Sequence, residues 1–170
     1  IYMDILPQVG NIVVNKFTSS GMKPKKLPKL RQKIGMVFQN YLLMNDRDLF
    51  ENIALPLHVL GFPKRQITEL VEKSLDEFGL SNKVNHYPHE LSGGEQQRAC
   101  VARAMIKDPD ILLADEPTGN LDPVTSFELI KIFEKINKAG TTILMASHNY
   151  NLIKGRGHRI IEIQNGSVRS

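Results

Sequence analysis

Two adjacent acids, Asp115 and Glu116, follow residues 111–114, an unbroken Ile-Leu-Leu-Ala run. One carboxylate can hold a hydrated cation while the next orients or deprotonates an attacking water, which is what a magnesium-nucleotide site requires. Two more apolar runs end in polar side chains, residues 34–38 at Gln39 and residues 141–147 at His148. Open α/β sheets bind ligands beyond the carboxyl ends of their parallel strands, so these three ends would share one cleft if the strands are neighbours. A second pattern is Leu91-Ser92-Gly93-Gly94-Glu95-Gln96-Gln97-Arg98. Glycines in the first turn of a helix expose backbone N–H groups, and with the Ser92 hydroxyl and the positive helix end these make a phosphate receptor. The same glycines would equally permit close packing at the cap.

The elements that must position these residues alternate between strand and helix. Residues 10–17 read as a strand, followed by a Ser/Gly/Pro/Lys loop and a strand over 34–38. From 45 to 88 the pattern is helical; residues 63–78 place Ile67, Leu70, Val71, Ser74, Leu75 and Phe78 on one face, and Gly79 stops that helix. Ser92 with Glu95 forms a capping box that opens a helix to about Lys107, where Asp108-Pro109 ends it. The 111–114 run predicts a central strand buried on both faces. Asp122 as cap, Pro123 at the first position and a stripe of Leu129, Ile130, Phe133 and Ile136 predict a helix that Gly140 closes. Residues 141–147 predict another buried strand, and 159–164 with 167–169 a strand pair around Asn165-Gly166. This order predicts an α/β fold with a mostly parallel sheet.

The composition allows this and excludes other classes. A chain of 170 residues, 41% apolar and 24% charged, fits one globular domain and is neither collagen, disordered nor a disulfide scaffold. The single cysteine, Cys100, cannot form an internal bridge; it fits a reducing compartment and reads as buried packing. Residues 53–62, the most apolar stretch, are interrupted by Pro56, His58 and Gly61 and fall short of the ~20 residues that cross a bilayer. His58, His86, His89 and His158 lack metal-ligand spacing. The net charge of +4 is local: Lys16, Lys23, Lys25, Lys26, Lys29, Arg31 and Lys33 lie in a stretch without an acid. Lacking interleaved aromatic residues, it reads as a solvated loop or helix face rather than a nucleic-acid contact.

Taken in order, the motifs resemble those of the ATP-binding subunits of ABC transporters. Residues 91–98 are similar to the family's signature motif, residues 111–117 to its Walker B strand, Gly119-Asn120-Leu121-Asp122 to its D-loop, His148 to its switch histidine and Phe38-Gln39 to its Q-loop. The resemblance implies a P-loop NTPase-type sheet with helices on both faces. The chain would then be one partial domain, with a helical signature subdomain at about 45–107 and an α/β core at 1–44 and 108–170. It also implies ATP and Mg2+, and a homodimer in which each ATP lies between one subunit's P-loop and the other's signature helix. Asp115 would hold Mg2+ through water, Gln39 would touch the metal and sense the nucleotide, Glu116 would be the general base, and His148 would bind the γ-phosphate. Ser92, Gly93, Gly94, Glu95 and Gln97 would meet the partner's nucleotide, and Asp122 would join the two sites across the dimer.

Residues 41–60 would dock an integral-membrane partner at the cytoplasmic face of the plasma membrane. Residues 27–39, 45–52 and 141–149 are most similar to the cell-division branch of the family, while Ala54-Leu55-Pro56-Leu57 leans toward lipoprotein-releasing and macrolide-export ATPases. A DNA-associated ATPase head is a weaker alternative, because only 51 residues separate Gln39 from Leu91 and they carry no sustained heptads; no nucleic acid is expected. The resemblance departs at one point: no Gly-x-x-x-x-Gly-Lys-Ser/Thr occurs, and the adenine-stacking aromatic is absent. Residues 1–6 resemble the end of the helix that follows the P-loop. The expectation is therefore a fragment that lacks the N-terminal strands and binds ATP poorly alone, with the site residues acting in the intact protein.

Overall fold

Three short parallel strands organise the computed structural model, which describes residues 9–20 and 22–169; residues 1–6, read above as a helix end, lie outside the described residues. The strands are β3 (Ile34–Val37), β4 (Ile111–Asp115) and β5 (Thr142–Ala146), in that spatial order. Val37 pairs with Ala114, and Asp115 with Ala146, so the carboxyl ends of all three lie level. Parallel neighbours need a crossover, and here the first is long. Between β3 and β4 every element is helical, chiefly α2 (Leu49–Val59), α3 (Lys64–Glu77) and α4 (Gly93–Met105), and α5 (Pro123–Lys138) joins β4 to β5. Two hairpins, β1 (Val13–Val14) with β2 (Phe17–Thr18) and β6 (Glu162–Gln164) with β7 (Ser167–Arg169), flank this unit in sequence, together with α1 (Leu27–Gln32) and α6 (Tyr150–Ile153).

Helices and sheet share one continuous apolar core. Ile53 and Leu57 of α2, Val71 and Leu75 of α3, Val101 of α4, Leu129 and Phe133 of α5, and Val37 and Leu112 of the sheet all belong to it. The α5 stripe is buried as its spacing requires, and Asp122 caps that helix by accepting from Val124 N and Thr125 N. The Thr125 hydroxyl bond, then the Thr125 backbone bond, hold the Asp122 carboxyl below its usual range.

Several sequence expectations need correction. The 10–17 strand is instead a pair of two-residue strands turning at Asn15, whose φ is +52°. The Lys-rich loop contains α1, because Pro28 lies in the helix's first turn, where its missing N–H costs nothing. Its lysines 25, 26 and 29 are exposed, and Lys33 pairs with Asp110 at 3.3 Å. β4 buries Leu112 and Ala114 fully but Ile111 and Leu113 only partly. β5 is not a buried strand: it is the edge of the described sheet, and Leu144 is 62% exposed.

The loop leading into α2 is built around Asn52, a buried amide on the helix's apolar face. Its side chain accepts from Met44 N and donates to the carbonyls of Met44, Arg47 and Asp48; for Met44 N and Arg47 O it supplies a partner that the backbone does not. Truncating it leaves Met44 N and Arg47 O without these partners, so Asn52→Ala is expected to cost about 2–3 kcal/mol in urea unfolding; a change below about 0.5 kcal/mol would contradict this role. Cys100 is 1% exposed, and burial pushes its thiol up to about 12. Thiolate forms only as pH rises toward that value, so iodoacetamide at pH 8 should leave the folded protein unlabelled and modify Cys100 only after denaturation.

Candidate functional site

The level strand ends place the three sequence-predicted polar groups together. Gln39 lies two residues past Val37, Glu116 directly follows β4, and His148 lies two residues past Ala146. Glu116 N continues the ladder by donating to Ala146 O at 3.0 Å, but its φ of +44° is left-handed. A non-glycine residue held there costs roughly 1–2 kcal/mol, a cost characteristic of functional positions. The turn directs the carboxylate to His148: Oε2 lies 2.9 Å from Nδ1, at ion-pair distance. That oxygen is buried, with the His148 ring nitrogen as its polar neighbour. His148 itself is exposed, as is Asp115 one residue before Glu116. A cleft of about 340 Å³ opens beside these groups, lined by Thr118, Gly119, Leu121, Ser126, His148 and Asn149.

The loop after β4 ties this cleft to the other motifs. Gly119 N donates to Glu116 O, and Asn120 Nδ2 donates to Gln39 O at 3.1 Å. The Gln39 amide lies against Gly119 so closely that a Cβ there would sit 2.7 Å from Nε2. Sequence reasoning attached no role to Gly119 beyond its place in the motif. At the start of α4, Ser92 Oγ accepts from Glu95 N, and Glu95 Oε2 accepts from Ser92 N at 2.8 Å, the capping box expected from Ser-x-x-Glu. A Cβ on Gly93 would meet the Tyr41 hydroxyl at 2.9 Å, and one on Gly94 would meet Thr125 Cγ2 at 2.6 Å. A side chain at either position would displace Tyr41 or Thr125, so close packing accounts for both glycines, whatever their N–H groups bind. Ser92 is exposed beside them.

Two expected nucleotide contacts do not fit this arrangement. Gln97 is fully buried, with Oε1 and Nε2 inside the fold and without hydrogen-bond partners, so its side chain does not reach outward from α4. Glu95 uses one oxygen in the cap and holds the other 3.3 Å from Lys83 Nζ. The Ser92 backbone hydrogen bond is the main reason its carboxyl titrates below the usual range. It is a capping residue with no free oxygen for a ligand. Asp122 is likewise engaged as the α5 cap, although it stays exposed.

Among the described residues no three His, Cys, Asp or Glu side chains gather around one point. At the end of β4 the Asp115 carboxylate is exposed; one carboxylate with water and phosphate oxygens is a donor set of the kind Mg2+ takes. Sequence reasoning missed Asn52 and Arg103. A polar residue at the i+3 position of the Leu49, Ile53, Leu57 stripe was the available signal for the first; nothing in the pattern of α4 singled out the second.

These features agree with comparisons to known proteins. The family model described as ABC transporter matches residues 1–119. The chain is 45% identical over 168 residues to the cell division ATP-binding protein FtsE of Streptococcus pneumoniae, covering 99% of this chain and 73% of that protein. FtsE of Mycobacterium tuberculosis is 44% identical, over 95% of this chain and 70% of that protein, and FtsE of Escherichia coli is 42% identical, over 95% and 73%. Among solved structures, a dimeric ATP-binding cassette in a post-hydrolysis state bound to ADP and Pi superposes with a TM-score of 0.76 and 31% identity, covering 89% of this chain and 67% of that one. With its parallel strand ends, capped Ser-Gly-Gly helix and this similarity, the chain belongs to the ABC transporter family of ATP-binding ATPases, among its FtsE-like members.

Proposed function

We propose that this chain forms the catalytic part of the ATP-hydrolysing subunit of an FtsE/FtsX-like complex, in which ATP-driven pairing of two subunits acts on a membrane partner during cell division. The observation that carries the chemistry is the Glu116 carboxylate, which follows β4 in a left-handed turn and lies 2.9 Å from His148 Nδ1. Glu116 accepts the proton of the attacking water, His148 steadies the γ-phosphate, and Gln39, resting on Gly119, senses what occupies the cleft. Asp115 would hold Mg2+, which when bound neutralises charge on the phosphate oxygens. Ser92, Gly93 and Gly94 present their exposed edge to the nucleotide of the opposite subunit, and Asp122 lies at the same face.

The phosphate cradle must come from a P-loop, a motif these 170 residues do not carry. The likeness to a dimeric cassette supports a homodimer. Residues 41–60 supply the membrane-partner contact: Leu42, in the loop after β3, and Val59, at the end of α2, are 57% and 79% exposed apolar side chains. No helix among the described residues is long and apolar enough to cross a membrane, which accords with a peripheral subunit held at the inner face by its partner.

In the P-loop-containing protein, Glu116→Gln should lower ATP turnover about 10²–10⁴-fold. The variant should still bind ATP and accumulate as an ATP-bound dimer, read by light scattering after gel filtration. Near-normal turnover would overturn the assignment of the base.

A further inference from the structure

The backbone immediately after Gln39 is strained. Tyr41 and Leu42 are consecutive non-glycine residues with φ of +48° and +52°. Each such residue costs roughly 1–2 kcal/mol; within the turn Leu42 N donates to Asn40 O, and the remaining support comes from outside it. The holder is α4. The Arg103 guanidinium spans the turn, donating from Nη1 to Leu42 O at 2.7 Å and from Nη2 to Tyr41 O at 3.0 Å. Cys100, one helical turn earlier, donates its Sγ–H to the same Tyr41 carbonyl at 2.9 Å. Because the thiol is raised to about 12, it remains a donor throughout the physiological range. Further up the same helix, Gly93 packs under the Tyr41 hydroxyl. On the other side of the turn, Gln39 is fixed to Gly119 and Asn120, in the loop that follows Glu116.

We propose that Arg103, assisted by Cys100, is a positioning residue for hydrolysis: it clamps the left-handed Tyr41–Leu42 turn to the signature helix, so that the placement of α4 sets the placement of Gln39 in the cleft. This rests on the ATPase reading given above. Charge-assisted bonds to two successive carbonyls need the planar fork of arginine, which a lysine ammonium, a single point of charge, does not reproduce. Arg103 and Cys100 bond only the carbonyls of the turn and touch no group assigned to the nucleotide. The turn itself also meets Gly93 through the Tyr41 hydroxyl, so the route through Gln39 is the one that the double variant isolates.

The test uses the P-loop-containing protein and compares Arg103→Lys, Arg103→Ala, Gln39→Ala and the Gln39→Ala/Arg103→Ala double variant. Arg103→Lys should keep the thermal midpoint within a few degrees and leave the KM for ATP unchanged, while kcat falls about tenfold. In the Gln39→Ala background, Arg103→Ala should lower kcat by less than about twofold, since the residue through which it acts is already gone. Wild-type kcat in Arg103→Lys, or equal fold losses from Arg103→Ala with and without Gln39, would overturn the clamp. If Arg103→Ala fails to fold, Gln39→Ala/Arg103→Lys supplies the same comparison. Glu116→Gln is run in parallel: its failure to lower turnover would sink the ATPase reading, whereas its loss alongside an unaffected Arg103→Lys would sink the clamp alone.

Discussion

The parallel register of β3, β4 and β5 is the constraint on which the site depends. Pairing Val37 with Ala114 and Asp115 with Ala146 ends all three strands at one level. Gln39, Glu116 and His148 therefore follow neighbouring strand ends from separate parts of the sequence, and His148 lines the cleft there. Slipping any strand by one residue would exchange its buried and exposed faces and move its terminal group out of reach. The core enforces the register, because Val37, Leu112 and Ala114 fill it from alternate positions. The Glu116 turn then adds what a regular strand could not, aiming a carboxylate back toward the neighbouring strand end.

The 119–122 loop and the signature helix extend this arrangement across the molecule. Gly119 and Asn120 hold Gln39, Leu121 approaches Gly93, and Asp122 begins α5. Strain collects where these pieces meet, at Tyr41, Leu42 and Glu116, all left-handed without glycine. Each is restrained by contacts from another element. Tyr41 and Leu42 are held by α4, and Glu116 by the neighbouring strand.

Features that depend on local chemistry were legible in the sequence. The Ser92–Glu95 capping box, the Asp122-Pro123 helix start, the α5 stripe and the Asn165-Gly166 turn all formed where their residue types called for them. The gathering of Gln39, Glu116 and His148 was legible only conditionally, since periodicity does not reveal strand order. What escaped was set by tertiary surroundings. Thr142–Ala146 is as apolar as a central strand, yet among the described residues it forms the edge of the sheet. Gln97 has the composition of a surface residue, but its place on α4 faces the core. Arg103 looks like any helix-surface arginine until the left-handed turn opposite it is known.

The central claim is that Gln39, Asp115, Glu116 and His148 surround one reacting phosphate, and it can be measured without reference to turnover. Mn2+ replaces Mg2+ in a complex of ATP with the P-loop-containing Glu116→Gln protein, and the histidine ring resonances are followed by NMR. A metal at Asp115 should strongly broaden the His148 ring signals, while His58, exposed on α2 away from the strand ends, stays sharp. Equal broadening of both, or a sharp His148 beside bound Mn2+ and ATP, would contradict the account.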